Sequence, residues 1–415
     1  MTTQRSRPQG GTARQPSAAR KTRLAIIVTH PIQHFVGFYR ALAAHPALDV
    51  HVLFGMPLGV QSYFDVGMQT EIAWKMNLLE GYSSEFLEEV EPGRQSSVTK
   101  PNTRGLGARL DAFAPDAVLI YGYAQMNALR AIAWCRKRKV PLMLISDSER
   151  AARNAPVREA IKRVTIPMIY RRVDAFLSVG DNNEAYYRYY GAPAGRIFRS
   201  PFTIDEGAFG KAMARRDEAR AELRERLGLS PASRVMLYVG KLYPGKRPAD
   251  LVAAMASLKR DGRDQDLHVV VAGNGEQYED LRRTAGADGL NVHFLGFVNV
   301  DLLPDLYAAA DALVVPSEVD RHPLVCSEAA FMSLPMIISD RVGSVGPTDI
   351  ARAGENTLVY ACGDIAGLAD AIASLDTDAG LRQRMGLRSR EIYDTLDMGM
   401  SVRGVLDAIA AIRRD

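Results

Sequence analysis

Short apolar runs alternate with longer amphipathic stretches along most of the chain. Leu24–Val28 is the first run and Val50–Phe54 the second; Ala117–Tyr121, Pro141–Ile145 and Ala175–Val179 follow. Runs that are apolar at every position fit strands buried on both faces of a sheet. Helical spacing fills the gaps: one stretch carries Phe35, Phe38, Tyr39 and Leu42, and another covers Ala124–Arg138. Apolar strand, helix, apolar strand is the signature of a parallel sheet covered by helices. From Gly55 to Thr103 the rhythm breaks, leaving one strand-like piece near Glu71–Met76 among many Gly, Ser and Glu.

Ser200–Asp205 reads as an exit from this sheet, and a charged helix over Lys211–Leu227 ends at Gly228. The pattern then restarts with Arg234–Val239, and continues through Leu267–Ala272, Val292–Phe294, Ala312–Val315, Met336–Ser339 and Thr357–Val359. A last helix covers Val402–Arg414. The expected architecture is α/β: two doubly wound Rossmann-like domains, residues 23–205 and 206–395, facing across a cleft. Residues 396–415 form a helix able to pack back on the first domain. Residues 1–22 form a flexible basic tail, since they hold almost no large apolar side chain to offset ordering entropy.

Composition narrows the classes. At 415 residues the chain suits two domains, and 47% hydrophobic residues suffice for two cores. The net charge of +4 is a mild surplus, and Arg5, Arg7, Arg14, Arg20, Lys21 and Arg23 supply it near the start, so no nucleic-acid partner is implied. Cys135, Cys326 and Cys362 are far apart and odd in number, which gives neither a zinc spacing nor a disulfide framework and fits a reducing compartment. The start of the chain has no apolar signal core, and no run reaches the roughly 18 apolar residues of a membrane span. A cytoplasmic protein is expected.

Four features of the second half carry candidate chemistry. Gly240-Lys241-Leu-Tyr-Pro244-Gly245-Lys246-Arg247 follows a strand and opens a helix; two ammonium groups on one short loop can converge on a diphosphate, or be two solvated lysines. Gly273-Asn-Gly275 after the next strand is alone an ordinary turn. Gly296-Phe297-Val298 again leads from strand to loop, where backbone groups can meet a base edge. Last comes Ser317-Glu-Val-Asp320-Arg321-His322-Pro323-Leu324, with Glu328 on the helix beyond. A carboxylate there can accept bonds from two vicinal hydroxyls, as a ribose presents, or merely complement the helix dipole.

Taken in order, these motifs over residues 234–375 resemble the family-four retaining glycosyltransferases of the GT-B fold, also described as glycosyl transferases group 1. The family's Gly-Arg-Leu-x-x-x-Lys-Gly run matches Gly240-Lys241-Leu242-x-x-x-Lys246-Arg247. The resemblance implies that Lys241 and Lys246 bind the donor diphosphate, and that the acid-x7-acid signature falls on Asp320 and Glu328. Glu328 then contacts the ribose, and Asp320 the transferring sugar. Gly296, Phe297 and Val298 align with the base-holding loop, and Arg321, His322, Pro323 and Leu324 belong to the donor site. Two departures stand out: Asp320 where Glu is usual, and Pro323 where Gly is usual, which removes one N–H donor. His-Pro-Leu-Val, with the early His30-Pro-Ile-Gln, is similar to a subgroup associated with surface-polysaccharide assembly.

Glycosyl transfer needs a stabilised diphosphate leaving group. No Asp-x-Asp or cluster of metal-ligand spacing stands in the expected place, so two lysines and a helix N-terminus are expected to do this without a metal or cofactor.

The first half says less. His30 and His34 flank the loop after the first strand, either facing the cleft as catalytic and acceptor contacts or capping and buried. Many relatives carry a His at the end of a middle strand; Leu119-Ile-Tyr121-Gly-Tyr123 has none, leaving Tyr121 there. Asp147 ends another strand, as an acceptor contact or an N-cap. Arg150–Arg172 is basic and amphipathic, with Arg150, Arg153, Arg158, Lys162, Arg163, Arg171 and Arg172 among Ile161, Val164, Ile166 and Met168. It reads as a solvated helix face, or as a peripheral contact with the inner face of a membrane.

The expected function is a hexosyltransferase-type reaction. A UDP- or GDP-sugar donor passes its sugar, with retention, to a glycan, lipid-linked or small-molecule acceptor. A nucleotide-sugar epimerase of the same architecture and a non-catalytic nucleotide-sugar binder are the alternatives.

Overall fold

The structure, a computed structural model, describes residues 20–87, 101–150 and 156–413. The basic tail before residue 20 and Arg153 therefore lie outside the described residues.

The first half runs β1 (Thr22–Val28), α1 (Gln33–Ala44), β2 (Leu48–Phe54), a hairpin of β3 (Tyr63–Asp65) and β4 (Thr70–Ile72), β5 (Ser83–Phe86), α2 (Leu106–Phe113), β6 (Ala117–Tyr121), α3 (Met126–Arg138), β7 (Leu142–Ser146), α4 (Pro156–Tyr170), β8 (Ala175–Ser178), α5 (Asp181–Tyr189) and β9 (Ile197–Arg199). The second half runs α6 (Glu206–Ala214), α7 (Arg216–Leu227), β10 (Arg234–Val239), α8 (Pro248–Arg260), β11 (Leu267–Ala272), α9 (Tyr278–Ala287), β12 (Val292–Gly296), α10 (Leu303–Ala309), β13 (Ala312–Val315), α11 (Leu324–Phe331), β14 (Met336–Ser339), β15 (Thr357–Tyr360), α12 (Ile365–Thr377), α13 (Ala379–Thr395) and α14 (Met398–Ile412).

Each half contains one parallel sheet, ordered β5-β2-β1-β6-β7-β8-β9 and β12-β11-β10-β13-β14-β15. Both orders step outward from a central strand and then reverse, placing a switch point between β1 and β6 and another between β10 and β13. Ligands of such sheets bind at the carboxyl ends of those strands, where the flanking loops diverge. The expected doubly wound α/β architecture is the one observed.

Both faces of each sheet are covered, which explains the unbroken apolar runs. In β1, Leu24, Ile26 and Val28 enter one core while Ala25 and Ile27 enter the other. In β10, Val235 and Leu237 point to one side and Met236 and Tyr238 to the opposite one.

Three local expectations are corrected. The charged helix is two helices: Asp205 accepts from the Ala208 N–H at 3.0 Å and starts α6 early, and Arg215 leaves helical geometry between α6 and α7. The break lets Phe209 and Ala212 of α6 and Ala219 and Leu223 of α7 reach the same core from two directions. Near Glu71–Met76 only Thr70–Ile72 is a strand, because Ala73 turns its carbonyl to Asn299 of the other half at 2.6 Å. The exit segment is preceded by a strand, β9, that its mixed sequence concealed.

The last helix, α14, lies against β8, β9 and α1 of the first half. Ser401 Oγ donates to the Pro201 carbonyl at 2.6 Å and Ser200 Oγ donates to the Ser401 carbonyl at 3.1 Å. Gly404 presses on the Arg199 backbone so closely that a Cβ would overlap the Arg199 carbonyl oxygen. Gly404→Val is expected to cost about 1–3 kcal/mol by overpacking, read as a lower urea midpoint, with Gly404→Ala in between. Equal midpoints for the three proteins would show that this contact does not hold α14 in place.

Candidate active site

The loops at the carboxyl ends of the second sheet are stitched to one another through the backbone. Gly240 N–H donates to Ala272 at 3.0 Å, Leu242 N–H to Asn274 at 2.9 Å, Gln277 N–H to Leu242 at 3.0 Å, and Gly273 N–H to Gly296 at 2.8 Å. Gly273 and Gly275 are what permit this. A Cβ on Gly273 would overlap the Gly240 carbonyl oxygen, and one on Gly275 would strike the Leu242 backbone. Both also have positive φ, 154° and 156°. Their evident role is to seat one loop on another, beneath the residues expected to hold the donor.

The lysine loop is fixed in turn to the acid loop. Glu318 and Val319 N–H groups both donate to the Gly245 carbonyl, at 2.9 and 3.2 Å, and Gly343 N–H donates to the Asp320 carbonyl at 2.8 Å. Lys246, ending the 3-10 turn Pro244–Lys246, forms an ion pair with Asp320, whose carboxylate also accepts from Ser317 Oγ at 3.3 Å. This pair sits at the switch point between β10 and β13 and is largely shielded from solvent.

Lys241 goes elsewhere. Its ammonium crosses to the first half and donates to both carboxylate oxygens of Asp65, at 2.9 and 3.1 Å. Burial pushes the Asp65 carboxyl up, but Lys241 and the backbone N–H groups of Met68 and Gly67 outweigh it and hold it below its usual value. The two lysines are thus neutralised by separate acids and do not meet at one point. Asp65 went unnoticed in the sequence, where the Asp-x-Gly turn was its one signal.

Glu328 lies on α11 beside a cavity of about 240 Å³ between the halves, with His34, Ile204, Val300, Asp301 and Leu324 among its other walls. Tyr307 Oη donates to Glu328 Oε2 at 2.5 Å. Burial raises this carboxyl to about 7, the Tyr307 bond opposing it. His34 Nε2 and His30 Nδ1 are buried with no hydrogen-bond partner among the described residues. Burial lowers both imidazoles to about 4, with His30 adding to the effect on His34. At neutral pH they are uncharged, so they can exchange hydrogen bonds but are weak proton acceptors.

The remaining expected residues are dispersed around this centre. Arg321 faces Asp147 of the first half at 3.8 Å. His322 is turned inward, its side chain 5% exposed, 4.0 Å from Asp349 and edge-on to Phe202. Pro323 caps α11, and Leu324 packs on the cores of both halves. Tyr121 ends β6 within an aromatic group of Phe35 and Phe202. Phe297 and Val298 open onto a second groove beside α7 and α10, while Val300 and Asp301 of the same loop reach the cavity of Glu328.

The sequence reading also missed Glu149, two residues beyond Asp147. Its carboxyl packs on Gly343 of the other half. Burial raises it to about 8; Arg321 opposes this while Asp147 and Asp320 add to it.

Two parallel sheets with a site across their switch points define the GT-B class. Residues 219–392 match the family described as Glycosyl transferases group 1, so the second half carries a domain of that kind. It is 29% identical over 294 residues to alpha-D-kanosaminyltransferase of Streptomyces kanamyceticus, covering 68% of this chain and 71% of that one. It is 28% identical over 287 residues to D-inositol 3-phosphate glycosyltransferase of Nocardia farcinica, 66% of this chain and 62% of the relative. Among solved structures, Anabaena HepE in complex with UDP superposes with a TM-score of 0.69 over 94% of this chain and 99% of that one, at 16% identity, a likeness of fold.

A buried carboxyl raised to about 7 has a testable consequence. The stability it lends is complete below the unfolded value near 4.5 and is lost as pH rises through the folded one. Glu328→Gln stays neutral, so its stability relative to the parent is expected to grow by up to about 3 kcal/mol between pH 4.5 and 8. A stability difference flat across that range would mean that burial does not raise the Glu328 carboxyl above its unfolded value.

Proposed function

We propose that the protein transfers a sugar from a nucleotide-sugar donor to an acceptor hydroxyl, with retention of anomeric configuration and without a metal. The observation that carries this reading is the Lys246–Asp320 pair at the second switch point, held by the stitched loops and followed by Glu328 on α11.

In this reading the donor diphosphate takes Lys246 from Asp320 and draws Lys241 from Asp65. Each lysine then exchanges a carboxylate for a phosphate, so the ammonium groups stay paired while the carboxylates of Asp65 and Asp320 are freed. Asp320, released beside the phosphates, faces the transferring sugar, and Glu328 accepts hydrogen bonds from the ribose hydroxyls. The bond between the anomeric carbon and the diphosphate oxygen breaks, a new bond to the acceptor oxygen forms on the same face, and the acceptor proton passes to the departing diphosphate. The lysines stabilise charge that develops on that leaving group, which is where such groups contribute most. His30, neutral, serves as a hydrogen-bonding contact rather than as a base.

UDP is the first nucleotide to test, since the structurally similar HepE was solved with it. The acceptor side is formed by the first half, where Asp147 and Glu149 face Arg321 and Gly343. One relative is named for an inositol phosphate, which supports a small polyhydroxylated acceptor beside the glycan and lipid-linked classes. A place in surface-polysaccharide synthesis and a cytoplasmic site of action remain parts of this proposal.

Thermal shift with UDP, GDP and ADP should single out one nucleotide, because binding to the folded state raises the melting point. With the matching sugar donor, Lys246→Ala is expected to lower turnover by about a hundred- to a thousandfold while the protein stays folded. Near-parental turnover in that variant would remove Lys246 from the mechanism. Incubating the donor alone separates the alternative chemistry: an epimerase would change the sugar without acceptor. Glu149→Gln is expected to abolish any ionisation near pH 8 in the rate profile, and an unchanged profile would dissociate Glu149 from the reaction.

A further inference from the structure

One helix of the first half presents its apolar side to the wrong place. Val157, Ile161, Val164 and Met168 of α4 are 72%, 58%, 62% and 49% exposed. At about 100° per residue these four positions fall within about 60° of one another, forming a single stripe. The residues through which α4 joins the protein core, Ile166 and Tyr170, lie about 180° around the helix from that stripe. The stripe therefore points away from the molecule. No residue of α4 before Ile166 is buried.

The orientation is held by polar contacts on the inner side. Glu159 accepts from Tyr190 Oη at 3.1 Å and pairs with Arg163 at 3.7 Å. The acidic residue of the helix is thus turned inward and neutralised. Arg158 flanks the stripe on one side, Lys162 stands further round the helix, and Arg171 and Arg172 follow just past its end. An open groove beside Ile169 adds Arg136 and Lys137 from the end of α3.

We propose that this face of α4 docks on an anionic bilayer. Medium-sized apolar side chains flanked by cations suit the boundary between acyl chains and negatively charged headgroups, where the stripe leaves water and the cations meet phosphates. A second copy of this chain is the poorer occupant, because a symmetric contact through the stripe would bring the same cations face to face. The helix follows the Asp147–Glu149 loop at the cleft, so a docked α4 holds the acceptor side close to the bilayer. Among the described residues no helix is long and apolar enough to cross a membrane, and docking of this kind needs none.

The test uses the full chain without donor or acceptor, so its outcome is independent of the transferase reading. Co-sedimentation is measured with phosphatidylcholine vesicles and with vesicles containing about a third phosphatidylglycerol. The parent protein is expected to partition to the anionic vesicles and to be released by salt. Ile161→Ser with Val164→Ser, and separately Arg158→Gln with Lys162→Gln, should each weaken partition about tenfold or more at unchanged melting temperature, since all four side chains lie outside the core. Absence of parental partition would overturn the proposal, as would full partition by the Ile161→Ser, Val164→Ser protein. A dimer in analytical ultracentrifugation that this double substitution converts to monomer would assign the stripe to a subunit contact instead.

Discussion

The geometry of the cleft depends on a backbone contact that only glycine allows. Gly273 and Gly275 let the loop after β11 lie directly on the loop after β10, carbonyl against Cα; three backbone hydrogen bonds join the two loops and a fourth ties Gly273 to Gly296 at the end of β12. From that platform Lys246 reaches Asp320, and the Gly245 carbonyl draws in the chain that carries Asp320. A side chain at Gly273 would lift the lysine loop and move the ion pair away from the switch point. Charge can be placed accurately here because the backbone beneath it has no freedom left.

The two halves meet through several separate contacts around this platform. Phe202, in the segment joining them, touches the rings of His34 and Tyr121 from one half and His322 from the other. The β3–β4 hairpin brings Asp65 to Lys241 and Ala73 to Asn299. On the far side, Asp181 N–H donates to Asp349 at 2.8 Å and Thr348 N–H donates back to Asp181 at 2.8 Å. Such bonds between mostly polar groups can be exchanged for bonds to a ligand, whereas the apolar cores of the two halves cannot. The arrangement combines rigid walls with a seam of replaceable contacts.

Electrostatically, the site holds its cations in reserve. Each lysine is matched by a carboxylate, and the acids without such partners, Glu149 and Glu328, are raised by burial towards neutrality. In the proposed reaction a diphosphate would meet ammonium groups already oriented by carboxylates, Lys246 the more shielded of the two, which lessens the reorganisation required when charge develops.

Much of this was legible in the chain itself. Strands buried on both faces must be apolar throughout, so β1, β6, β10, β11, β13 and β14 could be read nearly to the residue, and with them the doubly wound class. The lysine loop, the glycines, Asp320 and Glu328 could be found because each follows a strand at the end where ligands bind. Local sequence could not reveal which acid holds which lysine. Asp65 and Lys241 are 176 residues apart, and Lys246 and Asp320 are 74 apart. The first pairing arises only when the two halves face each other, and the second only when β10 and β13 are laid side by side in one sheet. For the same reason, the contact that Gly273 and Gly275 make between loops could not be read from the turn alone, and Val157, Ile161, Val164 and Met168 of α4, which by spacing alone could have been core, face solvent. Periodicity records that a side chain avoids water within its own element; which surface it finds, or fails to find, is decided by the rest of the chain.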